Sequence, residues 1–418
     1  MLDDRRPGWK GLADGCQRTF YGRVGTEPGM AGRGVPVDQP GRQLTLRLDF
    51  KAGSRFPAPG ASHQLLCAVH DTVEKRWRHL DFFQYRTELV ARVPRVETPE
   101  GKVVQIEVPW ARPGSGFTLL FEAWAMLLCG EMPVSETGRL LGEEDTRLWR
   151  LVSHYVEQAQ QRRDWSKVRR LLIDATSARR GHRYVTSVVA ADTRELLFLS
   201  EGREGNAVAA FVEELRAHGG RPEQIELVAI DMSPAYRKGV RAHLPQARIV
   251  FDHFHLMQMA GRALDEVRKK RRREGAALAG DLWAIRGNVW TRTEEQQARR
   301  AALGRVYPKL GRAMMLRETL QDVLAGEDPA GLRWWVTRAR RSRLEPFRKL
   351  ADSLMEHWDG VVAFLETRVT NGVIEALNGV LQLAKRRARG FRSFANFRLI
   401  ALLKAGGLEL QLPTLLPT

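Results

Sequence analysis

The octapeptide QIELVAID spans residues 224–231, followed at once by Met232, Ser233 and Pro234. Ile225, Leu227, Val228 and Ile230 form a short apolar run bounded by Pro222 and Pro234, the pattern of a buried strand. The run ends on a carboxylate, Asp231, where the chain leaves the strand. Open α/β sheets place their chemistry at the carboxyl ends of strands. A second run, VRRLLID at 168–174, also closes on an acid, Asp174, before ATSARRG. A third acid, Glu375, sits in TNGVIEALNGVLQLAKRRARGF at 370–391, whose spacing is helical.

Around these acids the pattern is consistently α/β. Strand-like runs at 168–174, 183–191 and 195–199, with a turn at Asp192-Thr-Arg, precede a helix at 205–217. The strand ending at Asp231, a helix at 235–243 and a strand at 248–251 follow. Three strands, then helix, strand, helix, strand, is the order of an RNase H-like core. In that order the first and fourth strands are neighbours, so Asp174 and Asp231 are expected side by side. On the 370–391 helix, Ile374, Leu377, Leu381 and Ala384 form the buried face. Glu375, Asn378, Gln382 and Lys385 form a polar stripe beside it. Phe391, Phe394 and Phe397 read as packing residues.

Two aspartates at strand ends and a glutamate on a helix are what a two-metal phosphoryl-transfer site requires. Mg²⁺ prefers oxygen ligands and takes few of them from the protein. Two such ions, about 3.5–4 Å apart, activate the attacking oxygen and stabilise the leaving one. The expected ions are two Mg²⁺ or Mn²⁺, held by Asp174, Asp231 and Glu375. Asp252-His-Phe-His255 follows the fifth strand; Asp252 and His255 either orient the site, contact DNA or form a structural Asp–His pair.

The composition points to a polyanion. The chain has 418 residues, too many for one ordinary core, with 43% hydrophobic residues and a formal net charge of +18. Such a charge attracts nucleic acid. Three cysteines, Cys16, Cys67 and Cys129, are too few and scattered for a disulfide framework. No run has the length of a membrane helix and no secretory signal is visible, so the cytoplasm is expected and no membrane partner.

Outside the core, residues 1–40 are read as irregular, and 41–112 as a small β-rich module with strands at 44–50, 85–96 and 103–108. Cys67 and His70 lie within it, with His63 upstream. A zinc ribbon needs four ligands in two pairs and the second pair is absent, so His70 reads as a surface histidine, Cys67 as a buried thiol, and no zinc is expected. At 113–160 a helix containing Leu119, Leu120, Ala123, Met126 and Leu127 is followed by a second from Pro133 to Leu141, broken by Gly142. A third opens at Asp145. This is a helix-turn-helix pattern, with Thr146, Arg147 and Arg150 expected on the exposed side of the recognition helix.

The α/β core then divides into 166–258 and 366–406, with a helical insertion at 259–365 and a tail at 407–418. The insertion holds Arg268-Lys-Lys-Arg-Arg-Arg273, including Lys269, Lys270 and Arg271, and RARRSR at 338–343. Trp283, Trp290, Trp334 and Trp335 lie among these runs. Basic runs beside tryptophans favour phosphate contact and base stacking. Lys385, Arg386 and Arg389 extend the late helix as a basic track.

The chain resembles the DDE, RNase H-like transposases of bacterial insertion sequences, most closely those written ISL-three. The matching stretches, in order, are HDTVEKRWRHLDFFQYRTELVARVPRV, VPWARPGSGFTLLFEA, DTRLWR, IDATSARRGHRYVT, AIDMSPAY, FDHFH and NGVIEALNGVLQLAKRRARGFRSFANFR, within 41–404. The resemblance implies metal-dependent cleavage at terminal inverted repeats and strand transfer to target DNA. It assigns the acidic triad to Asp174, Asp231 and Glu375, and the family's Asp-x-x-His to Asp252 and His255. Double-stranded DNA is the implied partner, with a homodimer or higher assembly on DNA, in the bacterial cytoplasm at the nucleoid. The chain departs from the family at Ala58 and Thr98, where relatives carry zinc-ribbon cysteines, and at Ala175, where an acid is common. Two other readings are a catalytically impaired DNA-binding descendant of a transposase and an RNase H-fold DNA nuclease.

Overall fold

The computed structural model describes residues 37–38, 41–59, 66–98, 100–179, 183–202, 206–278, 280–286, 291–326 and 328–413. Cys16, His63, Pro99 and Trp290, with most of the expected irregular segment 1–40 and the end of the tail, lie outside these residues. The chain divides into two compact units, residues 1–155 with 410–418, and residues 156–409.

In the first unit a sheet is built from β1 (Val37–Asp38), β2 (Gln43–Leu48), β3 (Arg55–Pro57), β4 (Leu66–Arg78), β5 (Arg86–Glu97) and β6 (Val103–Gln105). The order is β1-β2-β5-β4-β3, with β6 paired to β5. The sequence pattern missed β4, a 13-residue strand whose residues 70–76 include His, Asp, Glu, Lys and Arg. Its register against β5 explains it. Residues alternate between half-covered and exposed along most of its length, so polar side chains stay wet while the backbone is paired. Leu48, Phe56, Ala58, Trp77, Val93 and Val96 form the module's buried core.

Three helices follow: α1 (Leu119–Glu131), α2 (Val134–Leu141) and α3 (Asp145–Gln161). Thr118 caps α1, its side chain accepting from the Phe121 N–H. Phe121, Ala125, Met126 and Cys129 are buried, whereas Leu127 is exposed. The buried face is therefore rotated from the expected one, because Glu122 is drawn inward by Arg112 Nε at 2.9 Å, Ser115 Oγ at 2.5 Å and Tyr155 Oη at 2.8 Å. Gly142 ends α2 at φ 64°, a left-handed turn that glycine adopts without strain. The helix, glycine turn and helix are thus as the spacing predicts.

The second unit holds a five-stranded sheet of β7 (Arg170–Arg179), β8 (Arg183–Ala190), β9 (Leu196–Glu201), β10 (Leu227–Ile230) and β11 (Arg248–Phe251), in the order β11-β10-β7-β8-β9. The first three strands form an antiparallel meander; β10 is parallel to both β7 and β11. All four residues of β10 are buried, as a strand covered on both faces requires. One expectation is corrected here. β7 does not end at Asp174 but continues to Arg179, because β8 pairs with it throughout and sets Ser187 opposite Asp174.

The helices of this unit are α4 (Asn206–Ala217), α5 (Pro234–His243), α6 (His253–Arg273), α7 (Leu282–Arg286), α8 (Glu294–Val306), α9 (Pro308–Ala325), α10 (Pro329–Arg341), α11 (Glu345–Glu356), α12 (Trp358–Thr367), α13 (Gly372–Arg387) and α14 (Phe394–Ala405). The segment expected as an insertion is helical, but α6 runs unbroken across its expected start at residue 259. Near the other end α12 packs back on the sheet edge. A Cβ at Gly360 would lie 2.3 Å from the Phe251 ring, so the helix and strand approach closely only because that residue is glycine. Among the tryptophans, Trp335 is core: it is fully buried and donates Nε1–H to the Leu316 carbonyl at 2.8 Å, whereas Trp283 and Trp334 are exposed. Phe397 is buried against Phe391, as expected of packing residues.

Candidate active site

The parallel pairing of β7 with β10 does most of the positioning. Leu227 is level with Arg170 and Ala229 with Leu172; carried two residues further, the same offset sets Asp231 level with Asp174. Asp231 sits just past β10, 6% exposed, and accepts the Ser233 N–H at 2.9 Å in the turn that starts α5. Asp252 stands just past β11 and donates its N–H to the Ile230 carbonyl at 3.2 Å, so it lies beside the end of β10. Three carboxylates thus come from three adjacent strands.

Helix α13 covers this end of β7. Asn378 is 9% exposed and donates Nδ2–H to Asp174 Oδ2 at 3.0 Å; one turn on, Gln382 Nε2 donates to Thr176 Oγ1 at 3.2 Å. The polar stripe read from the sequence therefore faces β7. Asn371, at the head of α13 and 1% exposed, donates its backbone N–H to Asp252 Oδ1 at 3.3 Å. His255 Nδ1 stands 3.3 Å from Asp252 Oδ2, one turn into α6. Sequence reasoning missed Asn371 and Thr176. Both act through contacts across more than a hundred residues, and no local pattern signals such contacts.

The electrostatics are those of crowded carboxylates. Burial pushes the Asp174 carboxyl up to about 6, with the charges of Asp231 and Glu375 adding to the rise against the Ala175 N–H and His255. Glu375 is also raised, by burial and by Asp252. Asp252 goes the other way. Burial opposes its ionisation, but His253, His255 and the Asn371 N–H hold it well below the usual carboxylate range. His255 is raised by its bond to Asp252, in spite of burial. The Asp252–His255 contact thus favours the ionised carboxylate and the protonated ring, and Asp174 and Glu375 are groups in want of positive charge.

A divalent ion fits that want. The donors are hard oxygens, and the buried side-chain oxygens of Asn371 and Asn378 have no hydrogen-bond partner among the described residues. Among those residues no three His, Cys, Asp or Glu side chains close into a ready-made cage. Asp174, Asp231 and Glu375 share a field without converging on one point, as suits ions that draw other ligands from water and phosphate.

The expected DNA-contacting side chains are distributed more widely. In the first unit Thr146 and Arg150 of α3 are exposed. Arg147 corrects its expectation: its guanidinium is spent on Glu143 and the Gly116 carbonyl, and it lies 4.2 Å over the Phe117 ring. Glu143 is 2% exposed and also pairs with Arg86 at 2.7 Å and Arg78 at 3.3 Å, so Arg147 belongs to a network bracing the turn. On α6, Lys269, Lys270, Arg272 and Arg273 are exposed, whereas Arg268 bonds Asp265 at 3.1 Å and Arg271 pairs with Glu274 at 2.7 Å. Arg386 and Arg389 are exposed at the end of α13 and Lys385 is half-buried. Among the described residues no helix is long and apolar enough to cross a membrane.

Carboxylates gathered over an α/β sheet, in a chain of this positive charge, suit chemistry on a polyanion. The chain belongs to the ISL3 family of DDE transposases. A family model described as a transposase matches residues 171–401, and one for the helix-turn-helix domain of transposase family ISL3 matches 106–156. Relatives include the transposase for insertion sequence element IS1557 of Mycobacterium tuberculosis, 29% identical over 377 residues, covering 81% of this chain and 83% of that one. The transposase for IS1001 of Bordetella parapertussis is 28% identical over 354 residues, covering 78% and 82%.

A third family model, the zinc-finger of transposase IS204/IS1001/IS1096/IS1165, matches residues 64–99. The residues present do not fit zinc. Cys67 is the single cysteine of that span and packs against the apolar core, beside the buried Ala58. His70 faces Asp71 at 3.5 Å, and the ring of His79 is bonded to Thr118 Oγ1 at 2.9 Å. Apolar packing replaces metal here, so the purified protein is expected to carry no stoichiometric zinc by elemental analysis. A strong chelator is expected to leave its melting temperature unchanged. One zinc per chain, or a melt that falls on chelation, would contradict this.

Proposed function

We propose that this transposase has an RNase H-like core that cuts DNA at the terminal inverted repeats of an insertion sequence and joins the freed strand ends to target DNA. Two Mg²⁺ or Mn²⁺ ions are the cofactors, with Asp174, Asp231 and Glu375 holding them. The sheet order, with a meander followed by two parallel strands, supports the RNase H-like reading. The observation that carries the site is the parallel pairing of β7 with β10, whose offset, continued past the end of β10, brings Asp231 level with Asp174, to which Asn378 is bonded.

When bound, such ions lower the pKa of an attacking water or 3′-hydroxyl and stabilise the departing oxygen. The chain's own groups do the rest. Asn378 holds the Asp174 carboxylate in one orientation, leaving its other oxygen for a ligand. The Ser233 N–H holds the Asp231 carboxylate in the turn that starts α5. Asp252, bonded to the Asn371 N–H and in contact with His255, anchors the head of α6 against the head of α13. Thr146 and Arg150 form the helix-turn-helix contact to the repeat, and Arg147 braces the turn. The tips of α6 and α13, including Lys269, Lys270, Lys385, Arg386 and Arg389, contact backbone phosphates; Arg268 and Arg271 brace α6. A homodimer or larger assembly on paired ends, working at the nucleoid, completes this reading.

The test is strand transfer with a labelled terminal-repeat duplex in Mg²⁺ or Mn²⁺. Joined product is expected. Cleavage without joining would favour a nuclease, and a salt-sensitive shift with neither would favour a binding descendant. Asp231→Asn is expected to abolish cutting and joining while leaving duplex affinity in place. An Asn variant that still cuts would remove Asp231 from the site.

A further inference from the structure

Strands β4 and β5 are joined by a hairpin whose tip is Phe82-Phe83-Gln84-Tyr85. Phe82 and Tyr85 exchange both backbone hydrogen bonds, at 3.1 and 3.0 Å, which leaves Phe83 and Gln84 as the two central residues. Phe83 stands at φ 52°, in the left-handed region. A two-residue hairpin asks for positive φ at its first central position and fills it with glycine, asparagine or aspartate, because a larger side chain is crowded there. Here the position holds a phenylalanine, 77% exposed, the most exposed large apolar side chain among the described residues. A lone exposed apolar residue is ordinary. One that also strains the backbone is not, and strain that a fold retains collects where function uses it.

The tip is fixed beside the helix-turn-helix of the same unit. The Phe82 N–H donates to Thr87 Oγ1 at 3.1 Å, and the Phe82 and Phe83 rings meet edge to face with centroids 4.6 Å apart. At the foot of the hairpin Arg86 donates to the Gly142 carbonyl at 2.7 Å and pairs with Glu143 at 2.7 Å, while Arg78 donates to the Leu141 carbonyl at 3.3 Å. Those acceptors make up the turn between α2 and the recognition helix α3. Asp81, the one acid in residues 79–85, is paired with Arg78 at 2.6 Å, so its charge is offset beside the exposed ring.

A recognition helix lies in the major groove, and a segment braced to the turn before it stands over the adjoining backbone and minor groove. Proteins that enter the minor groove insert apolar side chains between base pairs and partly unstack them. We propose that Phe83 is such a wedge: it enters a base step of the terminal-repeat duplex from the minor groove, next to the major-groove face read by α3. The inference rests on the DNA-binding part of the function proposed above and gives the β-rich module a part in end recognition. A ring already ordered on a braced hairpin loses little freedom on insertion, which favours binding.

The experiment compares the full chain with Phe83→Gly and, as a second variant, Phe83→Asn. Both are expected to melt at or above the wild-type temperature, because these residues accept the left-handed turn. Affinity for a fluorescein-labelled terminal-repeat duplex is expected to fall about tenfold, the loss of one aromatic contact with the bases. The log–log salt slope is expected to stay, since no phosphate contact is lost. Duplexes carrying 2-aminopurine at successive steps of the repeat are expected to brighten at one step with saturating wild type and not with saturating variant. Unchanged affinity overturns the wedge, as does weaker binding with the brightening intact. Variants that turn a dimer of the free protein into monomers, with the brightening intact, would make the tip a contact between two copies and overturn it too. A wild-type chain that does not bind the duplex overturns the DNA reading itself, so the two failures are distinguishable.

Discussion

Asp174→Asn is expected to abolish strand cleavage and, in the metal-free protein, to raise thermal stability at neutral pH. The two effects have one cause. The folded Asp174 carboxyl is raised from an ordinary 3.8 to about 6. Below the ordinary value both folded and unfolded states are protonated and the group is neutral in its effect. As pH rises from the ordinary value to the folded one, the unfolded chain ionises freely while the fold resists a charge that is buried and lies near Asp231 and Glu375. Stability is lost over that window, by roughly 3 kcal/mol at about 1.36 kcal/mol per unit, and the loss is complete above it.

Asparagine removes the charge, keeps an oxygen to accept the Asn378 N–H, and so removes the penalty. It also removes the proposed metal ligand, and cutting is expected to fall by more than about a thousandfold. Thermal melts in chelator at pH 5 and pH 8, with single-turnover cleavage at pH 8, check both halves. The difference in melting temperature between variant and wild type is expected to be about half as large at pH 5 as at pH 8, where it reaches several degrees. A variant less stable than wild type at pH 8 would show that the charge is not crowded. Added Mn²⁺ is expected to stabilise wild type and leave the variant unmoved.

Replacing Lys269, Lys270, Arg272 and Arg273 together by glutamine is the second large effect, and it falls on binding rather than chemistry. These four are exposed at the end of α6, where among the described residues no ion pair uses them. If all four meet phosphates, the log–log salt slope of duplex binding falls by about 3.6, at about 0.9 per contact, and affinity at moderate salt falls by two to three orders of magnitude, roughly. Replacing Arg268 and Arg271 instead is expected to lower stability with little change in slope, because those two are spent on Asp265 and Glu274. An unchanged slope in the fourfold variant would take the tip of α6 out of the interface.

Much of the catalytic unit was legible in the residues. Each buried strand is a run of apolar side chains, and runs such as LVAI and RIVF announce themselves by composition and by the prolines or acids that bound them. Helix α13 declared its two faces by period, and Asn378 and Gln382 turn toward β7 as the stripe required. Gly142 marked the helix-turn-helix because a left-handed residue there excludes most side chains. Strand β4 was illegible: half-exposed pairing lets it carry a run of charges that reads as a loop.

The acids were visible as residues and as the ends of apolar runs, and the excess of Lys and Arg marked a polyanion partner. Those facts are local, set by neighbours in the chain. Which acid stands level with which, that β7 runs on past Asp174, that Arg147 braces a turn, and that Arg292 and Arg300 share Glu318 depend on segments brought together from afar. Only the tertiary structure decides these, because strand register and charge balance are summed over space, and side chains with the same letter are spent or left unspent according to what folds against them.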